Sequence, residues 1–367
     1  CFSVETNPAS SRHLEYGFAP SCDHLSTCQC ASRLAQLGEQ ISTGRKGNTY
    51  AAIGTDAPKA IDLRAEIGRR EAYKTSIDQA LGKIRISQTV MDRLAAIAEK
   101  HQANVANLMG VSKAEAIQIQ AQQAKADMIE VAGLLNEKFS GEYLFGGSDT
   151  HNPPIPDPLN IANSGMGAKI RAEIARLNGS NTVEILTATK AIAESNAADT
   201  SPFSAFLSTG DGSDEGRRSL LGNNDERIAY GVFANRNAAV ISSGDTTGSW
   251  AKDLLRGLAS IAGLTPEKAA MGEGYASLIA GIQQGLKSSV NALALERGAL
   301  GVTEARLESL NTLHESVTTS LTGQLSSLEE VDMAKTITTL QATQTQLEAS
   351  YRAISIAQQL SLTRFLA

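Results

Sequence analysis

Cysteine is absent from this chain after residue 30, and aromatic residues make up only 4% of it. Its four cysteines are Cys1, Cys22, Cys28 and Cys30, so the main body cannot depend on disulfide bonds. Trp250 is the single tryptophan. Because aromatic side chains dominate many compact cores and small-molecule pockets, their scarcity favours long helices joined by seams of Ala, Leu, Ile and Val.

A positive charge excess and long apolar runs are also missing. The net charge of −6 gives no electrostatic reason to expect a nucleic-acid partner. No apolar run approaches the roughly 20 residues of a membrane-spanning helix, so no membrane span is expected. The opening residues lack the basic-then-apolar pattern of a secretory signal peptide. If the protein leaves the cell, we expect a route that needs no cleaved signal.

Residue types that carry catalysis or bind metals occur here without the spacing that such sites need. The closest group of metal-binding types is Cys22, His24, Cys28 and Cys30. Their spacing does not match paired C-x-x-C zinc motifs. His101 and His314 fit helix seams or surfaces better than ligand sets, and the acidic stretch 211–215 is not an EF-hand loop. We therefore predict no catalytic residues, no cofactor and no metal.

Helical periodicity marks both ends of the chain. One helix is predicted from about Pro58 to Gly110, and two more apolar seams cover 275–300 and 302–331. Between them, apolar residues recur at alternating steps of three and four at Ala114, Ile117, Ala121, Ala124, Met128, Val131 and Leu135. The predicted fold is mainly α, a long antiparallel helical bundle or coiled-coil rod built from both chain ends, with a small mixed α/β middle lobe.

Composition divides the chain into five parts. They are an atypical leader, 1–32, expected to be disordered; N-terminal rod helices and a turn, 33–158; an outer mixed lobe facing solvent, 159–261; C-terminal rod helices, 262–335; and a final helix, 336–367. Within the lobe, strands are predicted at 182–186, 227–233 and 240–242, and a loop at 210–224. We expect assembly to survive removal of much of this lobe.

The final helix is nearly uncharged. Between Thr336 and Thr363 the charged residues are Glu348 and Arg352. Apolar residues there recur at helical steps, which predicts a helix that becomes buried among copies of itself. The predicted assembly residues are Ile337, Leu340, Leu347, Tyr351, Ile354, Leu360, Leu362 and Leu366.

Several segments resemble bacterial flagellins and the related hook–filament junction proteins. The segment 203–239, which ends in RIAYGVFANRNAA, resembles the middle region of flagellins of alphaproteobacterial type. The other segments are LAQLGEQISTG at 34–44, ISQTVMDRLAAI at 86–97, SGEYLFGGSDTHNPP at 140–154, EEVDMAK at 329–335 and AISIAQQLSL at 353–362. The last two are the most specific. Residues 1–30 do not resemble the opening helix of that family, so the partner of the C-terminal helix is expected to be missing or replaced.

The resemblance implies a structural, non-enzymatic subunit of the extracellular bacterial flagellum. Its implied partners are further copies of itself in a helical homopolymer, the flagellar type III export apparatus and hook-associated proteins. A filament subunit is the leading interpretation. A hook–filament junction protein is the alternative. A surface-displayed homologue that binds polysaccharide through the 159–261 lobe is a third.

Overall fold

A computed structural model describes residues 23–108, 114–163 and 165–359, with side chains given between residues 29 and 356 of those ranges. The helices are α1 Asp23–Thr43, α2 Tyr50–Ile53, α3 Ala57–Ala106, α4 Ala114–Leu135, α5 Gly165–Ala175, α6 Thr182–Glu194, α7 Ala205–Ser208, α8 Trp250–Ala262, α9 Pro266–Ala269, α10 Glu273–Glu329 and α11 Met333–Gln359. The strands are β1 Lys138–Phe139, β2 Glu142–Tyr143, β3 Ser219–Asn223 and β4 Glu226–Ala229. Short 3-10 turns cover Gly54–Asp56 and Asp211–Ser213.

The chain forms two compact units, divided within α3 and α10. The terminal unit contains the described residues up to 68 and those from 318 onward, and the central unit contains the described residues from 69 to 317. In the terminal unit α1 packs against α11. The predicted pairing of helices from the two chain ends is thus confirmed, and the mainly helical fold class with it.

In the central unit, ion pairs join the long helix α3 to α10 and to α4. Arg85 of α3 forms ion pairs with two glutamates of α10, at 2.9 Å from Glu304 and 2.6 Å from Glu308. Arg93 of α3 lies 2.6 Å from Glu130 of α4. Such exposed ion pairs contribute little to stability, because water and salt screen them. The main stabilisation comes from the apolar seams beneath them, in which Leu94, Ile97, Leu300 and Leu307 are buried.

Helix α8 lies inside the core of the central unit. All of its residues are buried, and it packs against α4, α5 and α6. Ser249 caps its first turn by accepting a hydrogen bond from the Lys252 amide. Gly257 permits close packing, because a Cβ atom there would lie 2.4 Å from a methyl carbon of Leu286. Helices α4, α5 and α6 therefore share α8 as a common packing partner.

Two antiparallel hairpins complete the central unit. The first joins β1 to β2 through Ser140 and Gly141, which both have positive φ. The second pairs β3 with β4 and contains a bulge between Leu221 and Asn223.

Several predictions for the middle of the chain are wrong. Residues 182–194 form a helix, because Ile185, Thr189 and Ala193 lie four apart and are all buried on one face. The 210–224 loop contains β3, and 240–242 is not a strand. Burial of α8 also contradicts a solvent-facing position for that part of the 159–261 segment. Here tertiary packing decided what local composition did not.

The N-terminal helix begins earlier than predicted. Helix α1 starts at Asp23, ten residues before the expected boundary at Arg33. Cys30, Leu34, Leu37 and Ile41 recur at steps of four, three and four and are at least half-buried. That spacing is a helical seam, so the sequence signal continues upstream of the boundary. Residues 1–22 lie outside the described part of the chain.

Candidate assembly surface

The start of α11 is fixed by its own polar side chains. The Asp332 carboxylate accepts a hydrogen bond from the Lys335 amide at 3.1 Å, as a helix cap does. Inside the helix, the Thr336 hydroxyl donates to the Asp332 carbonyl oxygen, and the Thr343 hydroxyl donates to that of Thr339, each at 2.8 Å. Because these hydroxyls are satisfied within the helix, threonine can occupy a buried seam position.

The end of α1 and the start of α11 are joined by backbone hydrogen bonds. The Lys46 amide donates to the Glu329 carbonyl oxygen at 2.7 Å, and the Val331 amide donates to that of Gly44 at 3.0 Å. Gly44 has a φ of 70°, which glycine adopts without strain. The Glu329 carboxylate also lies 2.6 Å from Arg64. The C-terminal end of α1 thus meets the N-terminal end of α11, and the two helices run antiparallel.

The stripe predicted on α11 divides between two faces. Leu340, Leu347 and Ile354 lie seven residues apart and are half-buried. With the buried Thr336 and Thr343 they form the face that packs on α1. The α1 seam has steps of four, three and four, and the α11 row has the same steps followed by one of seven, which is the heptad spacing of a two-stranded coiled coil.

The second face of α11 is open to solvent and carries apolar side chains on either side of the polar Gln344. Ile337 is 41% exposed and Tyr351 is 59% exposed. Each lies three residues before a residue of the α1-facing row, so the open row runs beside that seam. Met333 at 40% exposed continues this apolar face. Leu360, Leu362 and Leu366, the remaining predicted assembly residues, lie outside the described residues.

Of the expectation that the partner of the C-terminal helix is missing or replaced, the pairing overturns the first half, since α11 does have a partner helix. Helix α1 supplies that partner through Cys30, Leu34, Leu37 and Ile41. Half-burial of three apolar side chains on α11 is worth about 1 kcal/mol each, since full burial of a leucine contributes about 1.5–3 kcal/mol. The pair is therefore held by a modest free energy.

His101, which the sequence placed on a helix seam or surface, is buried between α3 and α4. Its Nε2 lies 2.6 Å from an Asp127 carboxylate oxygen. Burial lowers the His101 pKa, although Asp127 opposes this effect. Burial alone would raise the Asp127 pKa, but hydrogen bonds from Lys100, His101 and Gln123 lower it below its ordinary range. The cluster joins two helices, and among the described residues no group of metal-binding side chains forms.

The acidic loop and the tryptophan also have structural roles. The Glu215 carboxylate accepts a hydrogen bond from the Ser148 amide at 2.8 Å and so fixes the turn after Gly147. Trp250 is 1% exposed, at the start of α8. Within the described part of the chain, no helix is both long enough and apolar enough to span a membrane.

Both ends of the chain match known protein families. Residues 23–150 match the bacterial flagellin N-terminal helical region, and residues 284–366 match the bacterial flagellin C-terminal helical region. The chain is also similar to flagellar hook-associated protein 3 of Escherichia coli (strain K12). The two are 21% identical over 331 residues, which cover 89% of this chain and 91% of that protein.

The matched regions contain the helices whose pairing the structure describes. The first holds α1, α3, α4 and the β1–β2 hairpin, and the second holds most of α10 and all of α11. Together the two regions cover more than half of the chain. This chain belongs to the bacterial flagellin family and is a structural component of the extracellular bacterial flagellum.

Proposed function

We propose that this chain is a subunit of the junction between the hook and the filament. The supporting observation is that its similarity to a hook-associated protein continues through the middle of the chain. The two family regions leave residues 151–283 unmatched, whereas the alignment with hook-associated protein 3 spans 331 residues and so must include most of that middle part. Filament and junction proteins share their helical ends, so the middle carries the information that separates them.

The proposal assigns assembly to α1 and α11. The open row on α11 has no covering element among the described residues, and it carries large apolar side chains, Ile337 and Tyr351. Neighbouring flagellar subunits would bury this row, in a head-to-tail contact that can repeat along a tube. Export through the flagellar type III apparatus and contact with hook-associated proteins belong to the same proposal.

A bulk filament subunit is the second candidate. It is favoured by the two flagellin regions and by the nearly uncharged final helix. Polysaccharide binding gains less support, because the single tryptophan lies in the core and cannot stack on a sugar ring.

Labelling of the chain on whole flagella distinguishes the two candidates. An epitope inserted beside Ile241, which is 91% exposed, should leave the packing of the central unit unchanged. We expect immunogold particles in one short band at the base of each filament. Particles along the whole filament would instead identify the bulk subunit. In a strain that lacks this chain, we expect hooks without filaments and unassembled filament protein in the medium.

The assembly surface has its own test. Ile337→Asp with Tyr351→Asp should leave the helical circular dichroism spectrum unchanged, because both side chains are exposed. It should raise the protein concentration needed for assembly by roughly tenfold or more, since charges would be buried in the contact. Glu348→Gln, a change on the same helix that removes a charge, is the matched control. Normal assembly of the double variant would contradict the proposal.

A further inference from the structure

Of the methionines that the structure describes, Met333 is the one exposed to solvent. It is the first residue of α11, and 40% of its surface is exposed. The other described methionines are buried or half-buried, and they are Met91, Met128, Met166 and Met271. Within the described part of the chain, a reagent in the surrounding medium therefore reaches the thioether of Met333 most directly.

Met333 begins the open row of α11. Ile337 follows it by four residues, and Gln344 and Tyr351 continue the row at steps of seven. The proposed function assigns this row to the contact with neighbouring subunits, and the role of Met333 argued below rests on that proposed function. A chemical change at Met333 would alter the contact surface, because its side chain lies on the solvent-facing side of the helix.

An exposed thioether is oxidised by hydrogen peroxide. The Met333 sulfur donates an electron pair to one peroxide oxygen, so an S–O bond forms and the O–O bond breaks. The displaced hydroxide takes the proton from the new S–O–H group and leaves as water. Sulfur is thereby oxidised by two electrons and peroxide is reduced, and the product is methionine sulfoxide, which is polar. A component of the extracellular flagellum meets any peroxide that the medium contains.

The neighbours of Met333 on α11 have no donor free for a sulfoxide. Because Met333 is the first helical residue, its side-chain neighbours are three and four residues further on, at Thr336 and Ile337. The Thr336 hydroxyl already donates to a main-chain carbonyl oxygen at 2.8 Å, and isoleucine has no polar hydrogen. Lys335, two residues on, faces another side of the helix. A sulfoxide at Met333 would thus depend on water, which a subunit contact removes.

We propose that Met333 is an oxidation site that controls assembly, because its thioether packs into the contact between subunits and its sulfoxide weakens that contact. A flexible, apolar methionine adapts to a contact surface, and oxidation removes that property. The fold of the single chain should not change, since Met333 lies outside the row that packs on α1. Oxidation would therefore act on unassembled subunits, whereas assembled subunits would be shielded.

Peroxide treatment of the full chain, followed by peptide mass spectrometry and an assembly assay, tests this role. At limiting hydrogen peroxide, Met333 should gain oxygen before the buried Met91 and Met128. The protein concentration needed for assembly should then rise roughly fivefold or more, while the helical circular dichroism spectrum stays unchanged. Assemblies formed before treatment should keep Met333 reduced. Oxidation of Met333 at the same rate in assemblies and in single chains would contradict its place in the contact.

Two variants separate Met333 from other oxidisable groups. Met333→Leu keeps an apolar side chain of similar volume without sulfur, so it should assemble like the unaltered protein both before and after peroxide. Met271→Leu is the matched control, because it removes a half-buried methionine and leaves Met333 in place. Its assembly should stay sensitive to peroxide. Methionine sulfoxide reductases for both sulfoxide epimers should restore assembly of the oxidised, unaltered protein.

The outcomes distinguish the role of Met333 from the proposed assembly surface. Suppose that Ile337→Asp with Tyr351→Asp prevents assembly but the Met333-oxidised protein assembles at the unaltered concentration. That result would overturn the role of Met333 and leave the proposed surface standing. Loss of assembly in peroxide-treated Met333→Leu would assign the effect to another residue and would also overturn it. Normal assembly of the double aspartate variant would instead contradict the surface itself, and the role of Met333 would fail with it.

Discussion

Helices α8 and α11 differ in how completely this chain covers them. Every residue of α8 is buried, whereas on α11 the side chains described reach full burial only at Thr336 and Thr343. Even the charged groups of α8 find partners inside the fold. Lys252 donates to Asn196 at 2.8 Å, and Arg256 lies 3.1 Å from Asp245. The surface of α8 is covered by other parts of its own chain, whereas Ile337 and Tyr351 of α11 stay exposed to solvent.

The same sequence pattern can therefore serve two structural roles, packing inside the core and contact with another molecule. Both helices carry apolar residues at helical spacing. In α8 those residues stabilise the central unit, while in α11 one row pairs with α1 and the other is available to a neighbouring molecule. Four predictions test this contrast, beginning with the largest expected effect on stability.

Deletion of residues 159–261 should unfold the central unit. It removes α8 and with it the buried Trp250, Leu254, Leu255, Leu258 and Ile261. At about 1.5–3 kcal/mol for each large apolar side chain, the loss is on the order of 10 kcal/mol, comparable to the stability of a whole domain. This replaces the expectation that the segment is dispensable. Urea unfolding followed by circular dichroism should lose its cooperative transition, and a retained transition would restore the view of a separate lobe.

A single truncation in α8 should cost more than one on the open row of α11. We expect Leu258→Ala to lower the free energy of unfolding by about 2–5 kcal/mol, because Leu258 is fully buried and a cavity would remain. Ile337→Ala should change it by less than about 0.5 kcal/mol. Thermal unfolding measures both. Equal losses would mean that Ile337 is covered within the monomer.

A truncation on the α1-facing row should have an intermediate and local effect. Leu347 is half-buried, so Leu347→Ala should weaken the α1–α11 pair by about 1 kcal/mol. Hydrogen exchange of α1 amides should then increase by roughly fivefold, while exchange in α8 should not change. An increase confined to α11 would show that α1 does not depend on this contact.

Acid should weaken the junction of α3 with α4. Burial lowers the His101 pKa, and the hydrogen bonds to Asp127 lower the Asp127 pKa against the effect of its burial. For both groups the folded state disfavours the proton. Their contribution to the free energy of unfolding is therefore fully present above the unfolded-state pKa, which is about 6.5 for histidine and 3.9 for aspartate. It is lost as the pH falls from there through the lower folded-state pKa of each group.

Urea midpoints at a series of pH values check this contribution. The midpoint should fall as the pH drops below about 6.5, and His101→Gln should flatten the upper part of that fall. Tyr351→Phe on α11, which belongs to the other compact unit, is the control and should leave the pH profile unchanged. A midpoint that rises on acidification would contradict the sign of both shifts.

The sequence by itself determined the long helices and their pairing. The three-and-four spacing from Ala114 to Leu135 predicted α4, and the uncharged tail predicted α11, because apolar periodicity along a helix needs no knowledge of other elements. It also placed His101 and His314 on helix seams or surfaces, and both are buried.

Only the tertiary structure decided which apolar face is covered and by what. Burial of α8, the division of the α11 stripe, and the meeting of His314 with Gly222 each depend on residues far apart in the chain. Sequence spacing fixes the direction of a side chain from its helix, but the element that it meets is fixed by long-range packing. The strand predicted at 182–186 became a helix for the same reason, since contact with α5 and α8 outweighed local preference.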